Sequence, residues 1–221
     1  MPSETEENYL KAIFKIGQRT TYPVSTNAIA QELGTSAASV TDMLKRLAEK
    51  SYVRYEKYKG AHLTDTGDSV ARQLVRKHRL WEVFLVEKLD FSWSEVHDIA
   101  EQLEHIQAPT LTERLSDFLG NPKYDPHGDP IPDASGRMEQ RHGGLLCDAP
   151  VREQVVIVGV REHSNPFLEY LEQQGLVLGT RLTVLERYAY DDSARVTRSD
   201  GATLSLSDKV CRQLYVVVEG R

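Results

Sequence analysis

The chain has 221 residues, 40% of them hydrophobic, with a formal net charge of −6 at pH 7. That is enough apolar material for one large core or two small ones. The acidic balance argues against a non-specific nucleic-acid coat, and no apolar run is long enough for a membrane span.

Cys147 and Cys211 are the only cysteines, too few and too far apart for a disulfide framework or a zinc knuckle. With no secretory signal at the amino end, the chain is expected to be cytoplasmic. Its charge is uneven. Residues 1–80 hold 13 Lys+Arg against 9 Asp+Glu, a net of +4, and the remainder holds 14 against 24, a net of −10. A mildly basic start beside an acidic remainder suits a local DNA contact next to a cation-binding region.

The first predicted element is a helix through "PSETEENYLKAIFKI", with Ser3 and Glu6 in capping-box spacing. Pro23 ends that unit. "TNAIAQELGTSAASVTDMLKRL" then has the spacing of a helix-turn-helix. Ala30 is small where the helices cross, Gly34 permits the turn, and Leu33, Val40, Leu44 and Leu47 supply the shared core. The second helix opens with Thr35, Ser36, Ala38, Ser39 and Thr41, small residues that reach phosphates and base edges without steric cost. Asp42 on the same helix would repel phosphate unless it accepts from a cytosine amino group. "VRYEKYKGAHLTDTG" alternates and is predicted to be a hairpin with a tight turn at Lys59-Gly60. Its Tyr55, Lys57, Tyr58 and Lys59 would form a wing, with Lys57 and Lys59 on the DNA backbone.

Three helices are predicted next, over Ser69–Leu89, Trp93–Gln107 and about Leu111–Leu119. They are expected to form a two-fold interface through Leu115, Phe118 and Leu119. "GNPKYDPHGDPIPDASGR" holds four prolines and three glycines and is expected to be an irregular linker. Five short β-rich runs follow, "EQVVIVGV", "RLTVLERY", "ARVTRS", "ATLSLS" and "LYVVV", with a turn at Asp200-Gly201 and one helix, "PFLEYLEQQG", ending at Gly175. The expected class is α+β. Residues 1–65 are a winged helix-turn-helix, 66–122 an all-helical dimerisation and metal-binding domain, 123–150 a proline-rich linker and 151–221 a small β-barrel.

"VHDIAEQLEHI" raises the question of chemistry. On a helical wheel His97, Glu101, Glu104 and His105 fall within an arc of roughly 100°, apart from Val96, Ile99, Ala100 and Leu103. A solvated helix face gives the same pattern. The preceding helix, however, carries His78 and Glu82 at i and i+4, and two such helices can chelate a divalent cation. Glu104 lies off the apolar stripe, so Glu104→Ala is expected to abolish metal response and spare the fold. His62, His127 and His142 are isolated and expected at the surface. Cys147 and Cys211 have no nucleophile-base context.

"VRKHRLWEVFL", "VHDIAEQLEHI", "DPHGDPIP" and "YEKYKGAHLTDTG" resemble the metal-dependent repressors of the diphtheria toxin repressor and manganese transport regulator (DtxR/MntR) type, and the resemblance covers the whole chain. It implies a winged helix, a helical dimerisation domain and an SH3-like (FeoA-like) domain. It also implies a homodimer on a palindromic double-stranded DNA operator, repressing metal-uptake genes.

The resemblance further implies an ancillary metal site of His78, Glu82 and His97, with Glu162 and Asn165 from the third domain, or His163 in their place. The implied primary site is Glu101, Glu104 and His105, with Asn8 from the first helix, or Glu7 or Glu4 in its stead. Iron-type members have cysteine where Glu101 stands and methionine where Asn8 stands. Manganese regulators have carboxylates at both positions and a further Glu where this chain has Lys11. With only oxygen and nitrogen donors, Mn²⁺ is expected, with Fe²⁺ as the alternative. The competing readings are a di-metal hydrolase, against which no H-E-x-x-H motif is present, and a metal-independent winged-helix regulator.

Overall fold

The computed structural model describes residues 2–20, 22–140 and 143–219. His142 lies outside them. The chain divides into two compact units, residues 1–78, 102–113 and 132–137 in one and residues 79–101, 114–131 and 138–221 in the other.

In the first unit, helix α1 (Glu4–Arg19) opens on a reciprocal cap. Ser3 Oγ accepts from the Glu6 N–H, and the Glu6 carboxylate accepts from the Ser3 N–H. Tyr9, Leu10, Ile13, Phe14 and Ile16 are buried at helical spacing. Helices α2 (Thr26–Glu32) and α3 (Ala37–Glu49) are capped by Ser25 and Ser36. Between them Gly34 takes φ +60°, a left-handed turn that favours glycine. Ile29, Val40, Leu44 and Leu47, all 0% exposed, fill the core.

Strands β1 (Val53–Glu56) and β2 (Gly60–Leu63) form the expected antiparallel wing, with Glu56 opposite Gly60. The reversal is a three-residue loop over 57–59, wider than a tight turn at Lys59-Gly60, with Tyr58 at φ +69°.

Helix α4 (Asp65–Leu89) starts before Ser69. Helix α5 (Val96–Leu103) is shorter than its periodicity suggests. Glu104 and His105 therefore lie on the turn that follows it, and not on the helix. Pro109 opens α6 (Pro109–Phe118). A helix continued through Pro109 would set its ring against a carbonyl one turn back, and Ala108 before it is driven out of helical geometry.

The second unit holds a six-stranded antiparallel sheet, in the order β3-β8-β4-β5-β6-β7. Its strands are β3 (Gly144–Leu145), β4 (Gln154–Val160), β5 (Arg181–Arg187), β6 (Ala194–Arg198), β7 (Thr203–Leu206) and β8 (Leu214–Val218). Bulges at Ile157/Gly159 and Val184/Glu186 bend it. Helices α7 (Asn165–Gln174) and α8 (Asp208–Cys211) contribute Leu168, Leu171 and Cys211 to its core. Gly175 ends α7 at φ +64°, where the sequence placed the stop.

Strand β3 and a 3-10 turn over Leu146–Asp148 lie within the stretch expected to be irregular. A two-residue strand is too short for alternation to show.

Leu80, Val83, Leu115 and Ile131 form a separate buried cluster in this unit. Leu115, expected at a two-fold interface, is thus a core residue, and Leu119 packs partly buried beside it. Phe118 remains 65% exposed.

Gly128 marks the tightest approach in this unit. It has φ +81°, and an added Cβ would meet Val158 O at 2.1 Å. Gly128→Ala should destabilise the second unit by at least about 2 kcal/mol, since backbone cannot yield as a side chain can. Gly34→Ala, with nothing within 4 Å of its Cβ, should cost the first unit only about 1 kcal/mol for the left-handed φ. Thermal denaturation of both variants checks this, and equal shifts would contradict it.

Candidate metal centres

The first unit gathers donors from three places. Glu7, Asn8 and Lys11 share one face of α1, being three and four residues apart. His78 comes from α4, and Glu104 and His105 from the turn after α5. The Lys11 ammonium donates to Glu104 Oε2 at 2.6 Å, and His78 Nδ1 lies 2.6 Å from the same oxygen. His105 Nδ1 is 2.7 Å from Glu7 Oε2, and Gln107 Nε2 donates to Glu7 Oε1 at 3.0 Å. Glu104 is 0% exposed and Lys11 3%. Lys77 stands nearby: burial pulls its pKa down, and the charges of Glu7 and Glu104 oppose that.

Two oxygens in this cluster, Asn8 Oδ1 and Glu104 Oε1, are buried without a hydrogen-bond partner. Each such acceptor costs about 1–3 kcal/mol unless something satisfies it. His105 Nε2 is 3.8 Å from Glu104 Oε1, too far for a hydrogen bond. A divalent cation fits this set: two lone-pair oxygens facing no donor, an imidazole, and two carboxylates against one ammonium. Of the alternatives for the α1 donor, Glu7 is held by His105, Asn8 offers its unsatisfied oxygen, and Glu4 is exposed.

The second unit gathers a different set. Glu82 on α4, with Asp125 and His127 from the loop after α6, each present a ligand atom within 4.8 Å of the others. They are 2%, 5% and 1% exposed. His127 is therefore no surface residue. Its ring stacks on Trp93 with centroids 5.5 Å apart, and its Nε2–H donates to Trp93 O at 3.1 Å. That bond leaves Nδ1 as the lone-pair nitrogen of the neutral ring, 3.7 Å from Glu82 Oε1.

Asp125 Oδ1 accepts from the N–H groups of His127 and Asp129, which shapes the loop. Burial, followed by the Glu82 charge, pushes the Asp125 carboxyl up to about 6, against the pull of Arg79 and His127. Burial pulls the His127 pKa down, but Glu82, Asp125 and the Trp93 carbonyl outweigh it, and the net shift is upward. Arg79 closes the floor between Asp125 and Asp129, at 3.4 and 2.9 Å.

Of the sequence candidates, His97 lies 3.3 Å from Glu82 and 3.7 Å from Glu101. Glu162 accepts from Ser164 at 2.6 Å. Asn165 is the first residue of α7. It is His163 whose ring reaches His127, at 5.1 Å between centroids. Helix α7 also holds the loop before α5, since Glu172 accepts from the Trp93 N–H at 2.9 Å and from Ser94 Oγ at 3.4 Å. Asp125 and His127 escaped the helical periodicity because they sit on a proline-flanked loop with no face to read. The one sign was "DPHGDPIP", in which two aspartates bracket a histidine and a glycine.

On the DNA-reading side, Thr35, Ser36, Ala38 and Ser39 are exposed and Thr41 half-buried. Ser36 Oγ caps the Ser39 N–H at 3.1 Å, and Thr41 Oγ1 donates to Ala37 O at 2.9 Å. Asp42 pairs with Lys45 at 3.1 Å. On the wing, Lys59 pairs with Glu56 at 2.6 Å, and the Lys57 ammonium lies 4.9 Å from the centre of the exposed Tyr58 ring. His62 is exposed and stacked on Tyr22, as a surface residue should be.

Three family models match the chain. They are the iron dependent repressor N-terminal DNA binding domain over residues 1–61, the iron dependent repressor metal binding and dimerisation domain over 64–133, and the FeoA domain over 145–218. The chain is 36% identical over 135 residues to a Chlamydia trachomatis serovar D protein described as a probable metal transport system membrane protein. That match takes 59% of this chain, which spans only 30% of the longer protein. It is 30% identical over 195 residues to the iron-dependent repressor IdeR of Mycobacterium leprae, covering 82% of this chain and 84% of IdeR. Among solved structures, a manganese-dependent transcriptional repressor in complex with manganese superposes with TM-score 0.87 at 34% identity, over 96% of this chain and 99% of that one.

The burial of Glu104 changes what its removal should do. Glu104→Ala strips Lys11 and His78 of a shared carboxylate inside the protein, so the metal-free chain should lose about 3 kcal/mol. The fold should therefore lose stability, where a solvent-facing ligand would cost it little. Glu104→Gln, which keeps an acceptor for Lys11, should lose less. Thermal melts in chelator check this, and an unshifted melt for Glu104→Ala would contradict it.

Proposed function

This chain belongs to the DtxR/MntR family of metal-dependent regulators, and from that premise we propose that it is a manganese-responsive repressor of metal-uptake genes. It acts in the cytoplasm as a homodimer on a palindromic operator. The observation that carries this is the pair of buried oxygens, Asn8 Oδ1 and Glu104 Oε1, that no hydrogen bond satisfies. They lie on α1 and on the turn after α5.

When bound, a divalent cation supplies positive charge to both oxygens at once. Asn8 then ties α1, and with it the reading helix α3 and the wing, to the segment that carries Glu104 and His105. Fixing the winged helix in this way raises affinity for an operator whose half-sites match the dimer. By linkage, operator binding raises metal affinity by the same factor. Glu82, Asp125 and His127 form a second site, with His163 beside it. A repressor, rather than a hydrolase, accounts for the exposed row from Thr35 to Ser39 and the lysine-bearing wing.

Manganese is favoured over iron because the donors are carboxylate, amide and imidazole. Both cysteines, Cys147 and Cys211, lie outside both clusters. The iron reading keeps the support of IdeR. The test is fluorescence anisotropy of the full chain on a duplex selected from a random pool in the presence of Mn²⁺. Binding should tighten at least tenfold with Mn²⁺ and be lost in chelator. Binding that ignores the metal would overturn the proposal, and a tighter response to Fe²⁺ at equal free concentration would move it to iron.

The dimer has its own check. Leu111 and Phe118 are large apolar residues left exposed on α6, Phe118 the more so at 65%, so Phe118→Glu should yield a monomer by sedimentation and weaken operator binding. A variant that remains dimeric would place the interface elsewhere.

A further inference from the structure

Lys11 is an unusual neighbour for a cation site. It is 3% exposed, its ammonium donates to Glu104 Oε2 at 2.6 Å, and it lies 3.3 Å from His78 Nδ1. It thus stands against one oxygen of Glu104 and one nitrogen of His78, while the other Glu104 oxygen is left unsatisfied. The carboxylate is divided: Oε2 faces a positive charge the chain already carries, and Oε1 faces none.

We propose that the Lys11 ammonium is a built-in cation that occupies the place of a second divalent ion, and so limits the cluster of Glu7, Asn8, Glu104 and His105 to one metal. This rests on the metal-responsive function proposed above. The reasoning is charge balance in a buried space. Two carboxylates, Glu7 and Glu104, face one buried ammonium, and Lys77 adds a second positive charge within range of both. These charges balance, so one divalent ion already leaves the cluster net positive. A second ion would face the Lys11 ammonium at close quarters, and the two positive charges would repel in a buried space. Without Lys11, Glu104 Oε2 and His78 Nδ1, 2.6 Å apart, are a carboxylate oxygen and an imidazole nitrogen with no ammonium against them. Those are ligand types that divalent manganese accepts.

The experiment is a Mn²⁺ titration of the full chain, with bound metal counted by equilibrium dialysis and the bound ions examined by electron paramagnetic resonance. Two manganese ions sharing a carboxylate are exchange-coupled, and their spectrum differs from that of isolated ions. The unmodified chain should show only isolated ions. Lys11→Met, which keeps length and removes charge, should bind one additional ion per protomer, and that ion should appear as a coupled pair. Lys11→Arg, which keeps charge, should bind as the parent does. A coupled pair in the unmodified chain would overturn the proposal without any variant, and so would an unchanged count in folded Lys11→Met. A chain that bound no Mn²⁺ at all would fail the metal-responsive reading itself, which separates the two.

Discussion

The structure around the first candidate metal centre depends on one buried carboxylate. Glu104 is 0% exposed, and a carboxylate in such a place costs several kcal/mol unless charge and hydrogen bonds repay it. Lys11 from α1 and His78 from α4 repay it on one oxygen, each at 2.6 Å, and they stand 3.3 Å from each other. The other oxygen stays unrepaid. That asymmetry locks the first helix of the winged domain onto the turn after α5, and it leaves a standing demand for a further cation at the junction.

The second candidate centre is built by other means. Glu82 comes from a helix, but Asp125 and His127 come from a loop whose shape is set by backbone N–H groups bonding to Asp125 and by Gly128 lying against Val158. Trp93 orients the histidine from two sides, by stacking and through its carbonyl. Glu172 on α7 holds Trp93 in turn. The β-rich domain therefore reaches the ligands of this site through a short chain of contacts, and it adds the His163 ring at the edge.

Most of the fold was legible in the residues. The cap at Ser3 and Glu6, the turn at Gly34, the stop at Gly175 and the β-rich runs of β4 and β5 each follow from local chemistry, and each stands where the pattern put it. Tertiary constraints were not legible. Helical periodicity ran on through "LEHI" because nothing local marked Leu103 as the end, so Glu104 and His105 were assigned to a helix face when a turn carries them. Leu115 and Phe118 differ only in which side of α6 meets the core of its own unit, and composition cannot choose between them. His127 is illegible in the sequence because a lone histidine in a proline-rich stretch has no periodic partners. Its partners, Glu82 and Trp93, are more than thirty residues away in sequence. Spacing singles out candidates that lie on or next to a helix, and it is blind to those on the loop that carries Asp125 and His127.

The central claim is that Asn8 Oδ1 and Glu104 Oε1 are satisfied by a shared divalent ion. The most direct measurement is anomalous diffraction at the manganese absorption edge, from crystals of the full chain grown with Mn²⁺. The account predicts an anomalous peak within coordination distance of both oxygens and of the His105 ring. A well-occupied peak at Glu82, Asp125 and His127, with none between Asn8 and Glu104, would contradict it.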